Sequence, residues 1–173
     1  MEEEFELTER PFARRGRRID EMVDILRGVW GANGEWFSYD GEFHQIPDME
    51  MSPTPTEPIP IYVGGISDFA LRRAARLGDG WISDLQPRAE LARQIGQINA
   101  YREEYGRADE PFEFICSCSD VRGVEGYQQL ESDGVTCLLT MPWVYTHGFT
   151  ENLHARLEGT LAFGENVVSQ MRG

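Results

Sequence analysis

The stretch Pro60-Ile61-Tyr62-Val63-Gly64-Gly65-Ile66-Ser67 runs directly into Asp68-Phe69-Ala70-Leu71-Arg72-Arg73-Ala74-Ala75-Arg76-Leu77-Gly78-Asp79 and then into Gly80-Trp81-Ile82-Ser83. Ile59 to Val63 is short, apolar and β-branched, the pattern of a buried strand. Ser67 is a good N-cap for a helix predicted over Ser67 to Leu77, and Gly80 to Ser83 reads as the next strand. The order is strand, helix, strand. Gly64 and Gly65 allow a ligand to approach the backbone, and the free N–H groups of the following helical turn favour an anion such as phosphate. A tight connection with its cap uses the same residues, so the motif alone leaves both readings open.

Downstream the alternation continues. Pro87 to Tyr105 is a helix with Leu91, Ile95, Ile98 and Tyr101 on one side, and Phe112 to Ser119 is a third strand. Val124 to Ser132 is a short helix, Val135 to Thr140 a fourth strand, and Phe149 to Met171 a final helix. Short apolar strands, each followed by a helix, specify a parallel sheet covered by helices. Upstream, Phe12, Ile19, Met22, Val23, Leu26, Val29 and Trp30 recur at helical spacing and predict a helix from Arg10 to Trp30. Glu35 to Ile46 then reads as a hairpin around Asp40-Gly41. Pro47, Pro53, Pro55, Pro58 and Pro60 make the segment after it an extended connection. The fold class is α/β with four parallel strands, and two architectures accept it: half of a closed barrel or an open doubly wound sheet.

A chain of 173 residues is expected to form one domain, residues 1–173, with 31–58 as a hairpin and proline-rich insertion. Acidic residues outnumber basic ones by 30 to 16, and the net charge of -14 opposes binding to nucleic acid or an anionic membrane. No stretch approaches the ~20 apolar residues of a membrane helix. The opening Met1-Glu2-Glu3-Glu4-Phe5-Glu6 is acidic where an export signal is basic and then apolar, so a cytoplasmic location is expected. Arg10, Arg14, Arg15, Arg17 and Arg18 form one basic cluster and Arg72, Arg73 and Arg76 another, both read as solvated helix faces. Cys116, Cys118 and Cys137 lie in apolar runs and read as free buried thiols, and no metal-ligand spacing is present. Among the histidines only His147, just past the last strand, stands where a catalytic group is expected, and no catalytic residue is assigned.

Four blocks in order carry a family resemblance: Arg15-Gly16-Arg17-Arg18-Ile19-Asp20-Glu21-Met22, the hairpin with Tyr39-Asp40-Gly41-Glu42-Phe43, Pro58 to Gly65, and Ala70 to Trp81. Together with Gly134-Val135 and Met141-Pro142-Trp143 they resemble the luciferase-like monooxygenases, closest to the deazaflavin-using members. The resemblance implies the C-terminal half of a (β/α)8 TIM barrel, with Arg10 to Trp30 as its fourth helix and the strands as its fifth to eighth. It implies coenzyme F-420 or FMN as cofactor and hydride transfer to or from a small organic substrate. On that mapping Gly64, Gly65 and Ser67 form the cofactor-phosphate turn, with Ile66 offering a backbone N–H. Trp81, Ser83 and Asp84 fall where cofactor or substrate contacts are expected, and Arg72, Arg73 and Arg76 near an anionic tail. Nothing corresponds to the first four strands, so the chain is expected to be a truncated fragment, or to pair with a second copy or a separately encoded N-terminal half. The rival readings are a non-catalytic pairing module that completes a barrel with another chain and a phosphate-ligand binder without a redox role.

Overall fold

A computed structural model describes residues 2–171 of the chain. Its elements are α1 (Glu2–Leu7), α2 (Arg15–Gly31), β1 (Phe37–Asp40), β2 (Gln45–Met49), β3 (Tyr62–Gly64), α3 (Asp68–Leu77), β4 (Gly80–Gln86), α4 (Arg88–Glu104), β5 (Glu113–Cys118), α5 (Gly123–Ser132), β6 (Cys137–Leu138), α6 (Val144–His147) and α7 (Leu153–Phe163). A π turn over Gly164–Val168 joins α7 to the short α8 (Ser169–Met171). Strands β3 to β6 form one parallel sheet in chain order, and β1 and β2 a separate antiparallel hairpin. No helix among the described residues is long and apolar enough to cross a membrane.

Alternation along the strands decides where the core lies. Val63, Trp81, Phe114, Cys116 and Cys118 are buried on the face covered by helices, against Leu71, Ala74 and Ala75 of α3, Leu91, Ile95 and Ile98 of α4, and Leu130 of α5. The opposite face carries Tyr62, 38% exposed, and an exposed Cys137. Cys137 therefore departs from the expected buried thiols: period-two alternation turns it away from the helices. A knot at Asp79 fixes register: its N–H donates to the Ile61 carbonyl (2.8 Å), its carbonyl accepts from Glu113 (3.1 Å), and its carboxylate accepts from the Ile61 N–H (2.7 Å). One residue thus holds β3, β4 and β5 in line.

Several boundaries differ from the sequence reading. α2 begins at Arg15 rather than Arg10, because Arg14 adopts a left-handed backbone (φ 58°) that no helix continues through. The acidic opening is itself helical, and Glu9, also left-handed, closes it with an Arg10 N–H bond to the Phe5 carbonyl. The hairpin turn spans Gly41 to His44, so β2 runs through Pro47 to Met49; a two-stranded ribbon tolerates proline because both strands are edges. β6 is two residues where six were expected, although Thr136 and Leu139 still donate to carbonyls of β5. Along α2, Ile19, Met22 and Leu26 stay more than 40% exposed, so only Val23 of the apolar stripe is buried.

Polar bonds hold the hairpin against α2. The Glu21 carboxylate, 13% exposed, accepts from the N–H groups of Glu42, Phe43 and His44 and contacts the His44 ring at 3.1 Å. Desolvation pushes the Glu21 pKa up, but the bonds from Phe43, His44 and Glu42 outweigh it and hold the carboxyl below its ordinary 4.5. A lowered folded pKa contributes stability that is complete above about 4.5 and disappears as pH falls through the folded value. The melting temperature of wild type is expected to exceed that of Glu21→Gln at pH 7, with the gap closing progressively below pH 4.5; a gap that stays constant to pH 3 would contradict this.

Candidate functional site

The connection between β3 and α3 lies at the C-terminal end of the parallel strands. Gly65 there has φ 110°, a conformation that side chains rarely adopt, and a Cβ at this position would stand 2.8 Å from the Ala70 methyl. Ser67 caps α3: its Oγ accepts from the Ala70 N–H at 3.3 Å. With the Ala70 amide taken up by Ser67, those of Asp68 and Phe69 remain without an intrahelical acceptor at the start of α3. Asp68 stays ionised at this helix end: the Tyr101 hydroxyl, opposed by some desolvation, combines with Arg72 and Gln97 to hold its carboxyl below the usual value, and Arg72 offsets part of its charge.

Gly64, Gly65 and Ser67 open onto a cleft of about 600 Å³. Its opposite wall is the start of α2, with Arg14, Arg15 and Arg17. Arg14 and Arg17 share a single carboxylate, Glu42. No carboxylate lies within ion-pair distance of Arg15 among the described residues, and its guanidinium lies 3.7 Å from the Phe12 ring centroid. Arg73 also lines the cleft but is held by Asp20, which binds Arg76 as well. Gly16 makes that clamp compatible with the helix, since a Cβ there would stand 2.2 Å from the Arg73 guanidinium. Arg72 is engaged by Asp68 and Glu104. The sequence reads both clusters as solvated faces; in the structure Arg14, Arg15 and Arg17 from the first cluster line the cleft, whereas Arg72, Arg73 and Arg76 of the second are all engaged by carboxylates.

The other expected site residues divide. Ile66 is 45% exposed at the cleft's end of the sheet. Trp81 is fully buried and has no surface to offer a ligand; its indole N–H donates to the Gly65 carbonyl at 2.8 Å, so it positions the turn from the core. Ser83 and Asp84 form a bulge, two residues opposite Cys116 between the Ile82–Ile115 and Leu85–Ser117 pairs. The Ser83 hydroxyl is buried and accepts from the Ser117 N–H at 2.9 Å, whereas Asp84 is exposed and accepts from Leu85. His44 is bound to Glu21, and His147 lies 3.6 Å from Glu158. Burial, partly offset by Ser83, pushes the Cys116 thiol up to about 11, which removes it as a nucleophile. No group of three or more metal-ligating side chains occurs among the described residues.

The luciferase-like monooxygenase family model matches residues 1–119. The chain belongs to that family. An uncharacterized protein of Mycobacterium tuberculosis is 43% identical over 171 residues, which are 98% of this chain and 58% of that protein. An F420-dependent glucose-6-phosphate dehydrogenase of Gordonia bronchialis is 33% identical over 60% of this chain and 30% of its own length. Among solved structures, an F420-dependent secondary alcohol dehydrogenase in complex with an F420-acetone adduct has a TM-score of 0.52 at 16% identity, covering 85% of this chain and 46% of that one. EDTA monooxygenase from Chelativorans sp. gives 0.52 at 14%, over 92% and 46%. The chain thus spans little more than half the length of the mycobacterial relative and carries about half of a luciferase-like (β/α)8 barrel.

Two measurements probe this site. Gly65→Ala is expected to cost about 1–3 kcal/mol in urea unfolding, because a side chain is forced into a sparsely populated backbone region and against Ala70; an unchanged midpoint would show that the turn is not constrained. Iodoacetamide at pH 8 is expected to modify native Cys137 and leave Cys116 intact by mass spectrometry, with equal labelling counting against the burial described.

Proposed function

We propose that this chain is the cofactor-phosphate-binding, C-terminal half of a luciferase-like oxidoreductase that uses coenzyme F-420. The observation that carries the reading is the cleft that pairs the Gly64-Gly65-Ile66-Ser67 turn with Arg14, Arg15 and Arg17. The turn suits a phosphate: its glycines leave the backbone open, the amides of α3 supply donors, and the helix dipole favours negative charge. The residues beyond it separate the two candidate cofactors. The phosphate of FMN is a terminal monoester, whereas that of F-420 continues into a chain of carboxylates. An arginine wall past the phosphate turn matches the second. The names of the Gordonia relative and of the alcohol dehydrogenase structure point the same way.

When bound, the deazaflavin supplies hydride chemistry; the chain's own part is to anchor and orient it. Gly65, Ser67 and Ile66 would hold the phosphate through backbone and hydroxyl groups, Trp81 would keep the turn in place, and Arg15 and Arg17 would take the tail. A small organic substrate would meet the ring over the sheet face that carries Tyr62, Ile82 and Ile115. That face needs further strands along the β3 and β6 edges, contributed by a second copy or by another polypeptide. The unpaired edges also favour a second reading, a non-catalytic module that completes a barrel with another chain.

Fluorescence polarisation with F-420 tests the proposal, using the phosphate-free deazaflavin nucleoside and FMN as comparators. F-420 is expected to bind tightest, to weaken with salt, and to lose roughly tenfold in affinity in Arg15→Glu/Arg17→Glu. No binding of F-420 would overturn the cofactor reading and leave the pairing module.

A further inference from the structure

A second cleft, of about 200 Å³, lies between the start of α5, the α6 segment and α7. Arg122 and Gly123 follow β5, and Pro142 to Thr146 follow β6, so this cleft stands at the same end of the sheet as the Gly65 turn but on different strands. Its wall is largely apolar, with Pro142, Phe163 and Val167. Its size is below the ~300–1,000 Å³ of sites for drug-sized ligands, so any guest is small.

Two polar groups in it lack a well-aligned hydrogen bond or an ion pair among the described residues. Tyr127 is 6% exposed, and its hydroxyl makes no hydrogen bond of full geometry among the described residues, although the Tyr145 hydroxyl and the Gly123 N–H lie near enough to shift its pKa. That hydroxyl lies beside Gly123, Arg122 and Tyr145, all of which line this cleft. Tyr145 is already committed, at 2.7 Å from the Thr140 hydroxyl. The Arg122 guanidinium stands 4.9 Å from the Tyr145 ring centroid, and no carboxylate lies within ion-pair distance of it among the described residues. Folded proteins rarely leave a buried hydroxyl without a partner, and a cation beside an apolar pocket attracts an anion. Burial first, and Tyr145 second, raise the Tyr127 pKa, so the phenol stays protonated and able to donate.

We propose that this cleft binds a small apolar monocarboxylate, with the Tyr127 hydroxyl donating to one carboxylate oxygen, Arg122 supplying the countercharge, and Pro142, Phe163 and Val167 enclosing the apolar body. Inorganic phosphate suits it poorly, because one hydroxyl and one guanidinium leave most of its oxygens desolvated and unpaired against apolar walls. The site is independent of the cofactor reading, since it shares no residue with the Gly64–Ser67 cleft.

Benzoate is the probe, titrated into the full chain and followed by backbone amide shifts, with benzamide as its neutral isostere. Saturable shifts are expected at Gly123, Tyr127, Thr146 and Val167, with benzamide at least tenfold weaker. Tyr127→Phe and Arg122→Gln are each expected to lose at least tenfold in benzoate affinity. Tyr127→Phe should keep or raise the melting temperature, because it removes a buried hydroxyl that makes no well-aligned bond within the chain. The proposal is overturned by an absence of saturable shifts, by equal binding of benzoate and benzamide, or by unchanged affinity in Tyr127→Phe. A lower melting temperature in that variant would also overturn it, because the hydroxyl would then have a partner within the chain. A failure of F-420 to bind at the Gly65 turn would alter none of these outcomes.

Discussion

The bond from the Trp81 indole to the Gly65 carbonyl joins the core of this half-barrel to its candidate site. Trp81 is fully buried between the sheet and its helices, and it pairs across β4 with Val63 on one side and Phe114 on the other. A side chain locked in that way has one place to put its N–H, and the backbone of the turn is fixed by accepting it. Gly65 can comply because it alone in the turn takes a positive φ. The geometry of the connection is therefore set by core packing together with the backbone freedom of Gly65.

A second constraint works from outside the core. The contact between α2 and the β3–β5 layer is ionic: Asp20 with Arg73 and Arg76, and Arg27 with Asp79 and the Leu77 carbonyl. Most of these groups are at least partly exposed, and such pairs contribute modestly to stability. Their effect is on position. They place the first turn of α2, with Arg14, Arg15 and Arg17, across from the Gly65 turn, and Glu21 places the hairpin whose Glu42 neutralises part of that charge. Orientation of the basic wall thus rests on polar contacts, while orientation of the turn rests on packing.

This division explains what the sequence revealed. Ser67 as a cap, the alternation of β3 to β6 and the burial of Cys116 and Cys118 depend on neighbours a few residues away, and each was legible. Trp81 was also marked, but as a ligand contact, because a conspicuous aromatic at a strand end looks the same whether it faces a pocket or supports one. The destination of the arginines was not legible: Arg73 meets Asp20 across 53 positions and Arg27 meets Asp79 across 52, separations at which charge spacing along one helix says nothing. The bulge at Ser83 and Asp84 escaped for a related reason, since it exists only in register with β5. Tyr127 and Arg122 gave no signal at all, their importance being visible only once the phenol is seen to be buried without a well-aligned bond.

The parallel sheet finally ties the two clefts together. All four strands point one way, so every connection that follows a strand emerges at the same end, and helix N-termini gather there with their unpaired amides. Such amides favour an anion beside each of them despite a net charge of -14. The chain reinforces the preference locally, with arginines placed beside the first and third connections and the Asp68 charge partly offset by Arg72. Part of its acidic excess lies on α1, while Glu42 at the cleft is taken up by Arg14 and Arg17. Even in a protein this acidic, the sign of the field at the proposed sites is set by a few oriented groups rather than by the total charge.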